Sequence, residues 1–223
     1  DIKMLLIDAL HINGGGGKTL LDYLISNLEN KELDVIYLLD EKIKNHNYRI
    51  KKSNRIIYLK SNFNNRLMFY LKNKIEFKTI FCFGNIPPYI RTKARVYTYF
   101  HQLLYINVEK SFSLKERFIF FLKTQILNLM KHNTDKWFVQ SAIVKDFFIE
   151  KYSVDSDKIK ILPFFPKKNI YNVDNVEKGS HVFLYVSNAT PHKNHQILID
   201  AFESFYLNGK QYTTGFVITT NIN

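Results

Sequence analysis

MLLIDALHINGGGGKTLLDYLISNL, residues 4–28, is the stretch on which the reading of the fold turns. Met4 to Ala9 is an apolar run bounded by Lys3 and a polar segment, the pattern of a buried parallel strand. His11 to Thr19 (HINGGGGKT) reads as a glycine-rich loop. Leu20, Leu21, Leu24, Ile25 and Leu28 then recur at helical spacing. Strand, glycine loop and helix together open a nucleotide-binding or related Rossmann-like unit, with the loop at the edge where such sheets hold anionic ligands.

Working outward, the same alternation continues. Apolar or β-branched runs at Val35–Leu39, Arg55–Leu59, Thr79–Phe83, Arg95–Phe100, Lys136–Val139 and Lys158–Leu162 predict further strands. Asn64–Lys74, with Leu67, Met68 and Leu71 facing inward, predicts a helix. So does Leu114–Met130, with an apolar stripe of Phe118, Phe121, Leu122, Ile126, Leu129 and Met130, and so does Ala142–Tyr152. The fold class is α/β: a Rossmann-like, doubly wound parallel sheet over residues 1–165. Residues 166–180 have linker composition. Residues 181–223 then begin again, with a strand at Val182–Val186, a polar loop at Ser187–Asn194, a helix through Ile197, Leu198, Ala201, Phe202 and Phe205, and a strand at Gly215–Thr220. Two strands and one helix bury too little surface to offset their ordering entropy, so this second Rossmann-like domain is expected to be incomplete.

Composition bounds the function. The chain of 223 residues is long enough for one to two domains at about 150 residues each. Its 46% hydrophobic and 15% aromatic content supports a packed core. The single cysteine, Cys82, excludes an internal disulfide and a thiol pair for zinc, which suits a reducing, cytoplasmic setting. No signal peptide is visible, and no apolar run approaches the roughly 18 residues of a membrane span. The net charge of +12 is concentrated between Lys42 and Lys78, where Glu76 is the only acid. Such a block attracts nucleic acid, anionic lipid or phosphorylated substrates, or is a solvated face. Helix-turn-helix, zinc-finger and RNA-binding signatures are absent, so no nucleic acid partner is expected.

Gly14 to Thr19 is reminiscent of a phosphate-cradling P-loop, but that motif needs its first glycine where Ile12 stands. The glycines still permit close backbone approach to a ligand. His101 follows the Arg95–Phe100 strand at the ligand-binding edge, where it would serve acid–base or hydrogen-bonding chemistry, or bond to backbone. G-x-S-x-G, H-E-x-x-H and paired carboxylates are missing. His192 and His195 lack neighbouring acids or thiols, so no metal is expected. Phe118 to Leu122 (FIFFL) is either core or, with Lys115, Arg117, Lys123 and Lys131, a membrane contact.

Three segments in order resemble group 1 (family 4) glycosyltransferases. Gln140-Ser141 before a helix, then Tyr152-Ser153-Val154 and Asp157 to Pro163 (DKIKILP), is similar to the end of their N-terminal domain. The strand Phe183–Val186, Pro191-His192-Lys193-Asn194 and the helix through Ala201-Phe202 resemble the start of their donor-binding domain. The glycine run and His101 also fit. The resemblance implies a GT-B fold, two Rossmann-like domains across a cleft, and a retaining, metal-independent transfer with no cofactor beyond a UDP- or GDP-linked sugar donor. It places Lys193, with Asn188 and His192 beside it, and Gly15, Gly16 and Gly17 at the donor, and His101 at the transferred sugar as the catalytic residue. Asn188 stands where many members have an arginine.

The family's paired glutamates lie beyond the position of Asn223, so this chain is expected to be a truncated product or fragment. The activity expected is sugar transfer to a glycan or lipid-linked acceptor in surface polysaccharide assembly. It would be cytoplasmic, at the inner face of the cell membrane, with the Lys42–Lys78 block touching lipid. A non-catalytic binding or regulatory module and a nucleotide hydrolase using Gly14–Thr19 are the alternatives.

Overall fold

The computed structural model describes residues 4–73, 77–108, 112–165, 181–187, 193–208 and 214–219. It divides into two compact units, residues 1–107 with 119–167, and residues 108–118 with 168–223.

The first unit is a seven-stranded sheet. Its strands are β1 (Leu5–Ala9), β2 (Val35–Asp40), β3 (Arg55–Leu59), β4 (Thr79–Cys82), β5 (Arg95–Phe100), β6 (Lys136–Val139) and β7 (Ile159–Ile161). Every pairing is parallel, in the order β3-β2-β1-β4-β5-β6-β7. This is a doubly wound sheet of Rossmann order. β2 is buried at every residue, as a central parallel strand must be when both faces are covered. The edge strands β3 and β7 are partly exposed.

Helices α1 (Gly15–Glu29), α2 (Phe63–Lys72), α3 (Leu114–Met130) and α4 (Ala142–Tyr152) flank the sheet. Alternation along β5 assigns the layers. Val96 packs with Leu6, Leu38 and Ile80 and with Phe69 and Tyr70 of α2. Phe100, on the same face, packs with Leu127 of α3 and with Phe148 and Tyr152 of α4. Tyr99 points the other way and joins Ile7, Tyr37 and Phe83 against Leu21 and Ile25 of α1. Trp137 and Phe100 each lie 4.7 Å, ring to ring, from Phe148. Fully buried aromatics of this kind contribute about 1.5–3 kcal/mol each. Ser141 caps α4 by accepting from the Val144 N–H, and Ser153 ends it in a left-handed conformation.

Three expectations change. The glycine run is not all loop, because Gly15 to Thr19 form the first turns of α1. In α2 the inward face is Arg66, Phe69 and Tyr70, while Met68 and Leu71 are exposed. The cause is Asp8, a buried carboxylate in β1 that requires a cation, so α2 turns Arg66 toward it at 2.8 Å. In α3 the expected stripe is largely outside: Phe118, Phe121, Leu122 and Leu129 are exposed and Leu127 is buried instead.

The second unit contains β8 (His181–Val186), α5 (His195–Asn208) and β9 (Thr214–Thr219). β8 and β9 pair in parallel from His181↔Thr214 to Val186↔Thr219. Phe202 of α5 stacks on Phe216 of β9 at 4.9 Å. Val182, Phe183, Leu184 and Val186 are exposed.

Candidate active site

Strand order reverses around β1, whose neighbours are β2 and β4. The loops leaving β1 and β4 therefore flank a crevice at the carboxyl edge of the sheet. They approach closely, since a Cβ on Gly84 would lie 3.5 Å from the His11 Cβ. Asn85, at φ 70°, uses its side-chain oxygen to accept from the His101 N–H at 2.7 Å. The loop after β4 thereby fixes the residue that follows β5.

The amino end of α1 opens into this edge. Its N-cap is Gly14, which offers no side-chain cap, and the first turn carries no acid. Gly15 sits at φ +60°, a conformation glycine adopts without strain. The first-turn N–H groups lack helical acceptors, and the helix dipole adds roughly half a positive charge there. Side chains on Gly14, Gly15 or Gly16 would meet open space. On Gly17 a Cβ would touch Ile12 at 3.5 Å and lie 3.7 Å from the His101 Nε2. The uncapped helix end and His101 are thus adjacent.

His101 rests among the rings of Phe83 and Tyr99, at 5.3 and 5.6 Å. Burial pushes its pKa down to about 4, so the imidazole is neutral at pH 7. Among the described residues its Nδ1 is enclosed without a hydrogen-bond partner. A neutral imidazole beside an anion-binding helix end can hydrogen-bond a neutral ligand group without adding charge.

The crevice floor is polar. Asp8 accepts from Arg66 Nε at 2.9 Å and from the Tyr70 hydroxyl at 2.6 Å. Arg66 also donates to the carbonyls of Ile86 and Pro87, each at 2.8 Å, which ties the β4 loop to β1. His11 hydrogen-bonds Ser61 Oγ through Nδ1 at 2.7 Å and approaches the Tyr89 hydroxyl at 3.4 Å. Burial foremost, and then Arg66, push the His11 pKa down to about 4. Asn13 donates to Asp40 at 2.7 Å.

Of the expected site residues, the first unit brings together Gly15, Gly16, Gly17 and His101. Lys193 belongs to the second unit, exposed just before α5, with its carbonyl accepting from the Tyr185 hydroxyl at 3.0 Å. Asn188 and His192 lie outside the described residues. Lys18, the lysine a P-loop would send to phosphate, donates to both Asp22 oxygens at 2.6 and 2.7 Å and lies over the Tyr48 ring.

His11, Ser61 and the Asp8–Arg66 pair were not singled out in the sequence. The signal for His11 was its place directly after the first strand. Arg66 looked like one more member of the basic block. That block does not form one face: Lys42, Lys44 and Lys60 follow strands at the carboxyl edge, Lys52, Arg55 and Lys78 precede or begin strands at the amino edge, and Arg66 is buried.

Three solved structures share this architecture. A lipopolysaccharide outer core galactosyltransferase, WaaB in its apo form, superposes with a TM-score of 0.53 at 14% identity over 96% of this chain. The fold is that of a glycosyltransferase. A glycosyltransferase from Rickettsia africae matches with a TM-score of 0.56 and 15% identity over 98% of the chain. The wall teichoic acid polymerase TagF matches with a TM-score of 0.50 and 12% identity over 98%. The chain spans 59%, 68% and 57% of those structures' own lengths. No family model and no curated protein matches the sequence. At these identities the likeness establishes the GT-B glycosyltransferase fold, which the sequence resemblance had led us to expect.

Proposed function

We propose that the chain carries the acceptor-side domain and the first part of the donor-binding domain of a retaining glycosyltransferase, moving a sugar from a UDP- or GDP-linked donor to a glycan or lipid-linked acceptor. The observation that carries this reading is the uncapped glycine start of α1 beside a neutral His101, at the switch point of a glycosyltransferase fold. Negative charge develops on the nucleoside diphosphate as the sugar departs. Donors already in place at that charge lower the barrier without reorganising. The N–H groups of the first α1 turn supply them within the first unit, and Lys193, ahead of α5 in the second unit, is the cation assigned to the donor diphosphate. His101 hydrogen-bonds a hydroxyl of the transferred sugar and orients its reacting carbon.

The cations at the carboxyl edge, Lys42, Lys44 and Lys60, draw in phosphorylated ligands. Two of the structural neighbours are named for lipopolysaccharide and for wall teichoic acid, which supports an acceptor of that class at the inner face of the cell membrane. The pairing of Lys18 with Asp22 favours this reading over a nucleotide hydrolase. Calorimetric titration with UDP-sugars, GDP-sugars and ATP tests it. A sugar nucleotide should bind, weaken at least tenfold with Gly16→Val, and leave ATP unhydrolysed. Phosphate release from ATP that is lost with Lys18→Ala would reverse the assignment.

A further inference from the structure

At the amino edge of the sheet, opposite the crevice, the chain entering β5 alternates cations with small residues: Arg91, Thr92, Lys93, Ala94, Arg95. With Tyr97 of β5, and with Asp135 and Lys136 where β6 begins, they line a cavity of about 440 Å³. That volume suits a small ligand. Tyr97 stands beside Lys136 in the β5–β6 register, and Arg95, two residues earlier, shares its face.

The cavity holds more positive charge than its own carboxylate can balance. Asp135 is its one acid, and both oxygens are engaged: one accepts from Arg91, the other from the Val96 N–H at 2.7 Å. Arg91 also donates to the His132 carbonyl at 2.9 Å. Lys93, Arg95 and Lys136 are exposed and enter no ion pair among the described residues. Lys78, whose carbonyl accepts from the Arg95 N–H at 3.0 Å, adds an exposed cation next to them. Thr92 differs from all of these. Its hydroxyl is buried and has no hydrogen-bond partner among the described residues. A sealed donor left unpaired is costly, whereas a solvated basic face keeps its polar groups in water.

We propose that this cavity binds a phosphate group, either free or as the ester of a small molecule. The Arg95 guanidinium presents paired N–H groups that match two phosphate oxygens, and Lys93 and Lys136 add point charges. The Thr92 hydroxyl donates to the anion and so gains the partner it lacks. The Tyr97 ring walls the organic part of an ester. Three uncompensated cations call for more than the single charge of a carboxylate, which makes phosphate the fitting anion. His101 follows the far end of the same strand, so this site is separate from the crevice and its ligand is not the sugar donor.

Calorimetric titration of the full chain with inorganic phosphate, glucose 1-phosphate and, as a control, acetate at matched ionic strength tests it. A phosphate probe should bind saturably and acetate should not. Tighter binding of glucose 1-phosphate would identify the ligand as an ester, and equal binding as the free anion. Arg95→Gln/Lys136→Gln should weaken the phosphate probe at least tenfold, and Gly16→Val should leave it within twofold. Thr92→Val removes the sealed hydroxyl while keeping its shape. It should keep Tm at or above wild type yet weaken the probe at least threefold. A merely structural Thr92 would leave the affinity unchanged, which would overturn its part in the site. Absence of saturable phosphate binding would overturn the proposal. So would an affinity that falls with Gly16→Val and not with Arg95→Gln/Lys136→Gln, because the anion would then sit at the start of α1.

Discussion

Replacing Arg66 with methionine probes how the crevice is held together. Arg66 and Asp8 are 1% and 2% exposed at their side chains, so their charges are sealed from water. Methionine preserves much of the volume but strands Asp8 with the Tyr70 hydroxyl and the Leu10 N–H as its remaining donors. It also leaves the Ile86 and Pro87 carbonyls without the guanidinium that binds them. Breaking one side of a buried ion pair costs about 3–5 kcal/mol, most of it the uncompensated charge. For a chain of this size that corresponds to a fall in Tm of about 6–20 °C. The assay is urea denaturation followed by the fluorescence of Trp137, the chain's single tryptophan, which is buried in the same unit. Asp8→Asn in the Arg66→Met background removes the stranded charge, and the pair should couple by at least about 1.5 kcal/mol. A loss below about 1 kcal/mol for Arg66→Met, or strict additivity with Asp8→Asn, would refute the argument that Asp8 dictates the rotation of α2.

Three further outcomes follow from the same geometry. His11 and His101 both hold pKa values of about 4 when folded, against about 6.5 unfolded, so the unfolded chain takes up protons that the folded chain refuses. Their contribution is complete above about pH 6.5 and is lost as the pH falls toward 4. The loss amounts to about 2–3 kcal/mol per histidine at pH 4.5, and His101→Gln should flatten it in denaturation curves measured at pH 4.5 and 7.5. Gly15→Ala places a side chain at φ +60° with free space around it, so its penalty is conformational, about 1 kcal/mol in urea denaturation. Lys193→Ala, at an exposed site, should leave stability within about 0.5 kcal/mol while weakening sugar-nucleotide binding several-fold by calorimetry.

The strands were legible because burial on both faces of a parallel sheet writes itself as short apolar runs. Arg55–Leu59 and Arg95–Phe100 fall where the runs predicted them. What misled was polarity that the fold conceals. Asp8 interrupts an apolar strand and Arg66 sits among surface lysines, and nothing local announces that they pair across 58 positions. Once paired, they decide which side of α2 is inside. In α3 the apolar spacing was read correctly as helical, yet spacing cannot say whether an apolar face meets core or remains outside. The glycine run reads as loop in the sequence, since propensity disfavours glycine in helices. Tertiary packing of Leu21 and Ile25 carries α1 back through them, leaving an amino end that no side chain caps. His101 stands out in the sequence by its position after a strand. His11 occupies a similar place shortly after β1, but in the sequence it merges with the glycine run beside it.

The crevice between His101 and the start of α1 is proposed to serve sugar transfer. Product formation from UDP- and GDP-sugars, followed by mass spectrometry, is measured on this chain joined to a complete donor-binding domain, for wild type and His101→Ala alongside donor titration of each. Transfer should fall at least a hundredfold in His101→Ala, with donor affinity changed less than about fivefold, as expected for a group acting mainly in the transition state. Transfer that proceeds equally well without the imidazole would contradict it.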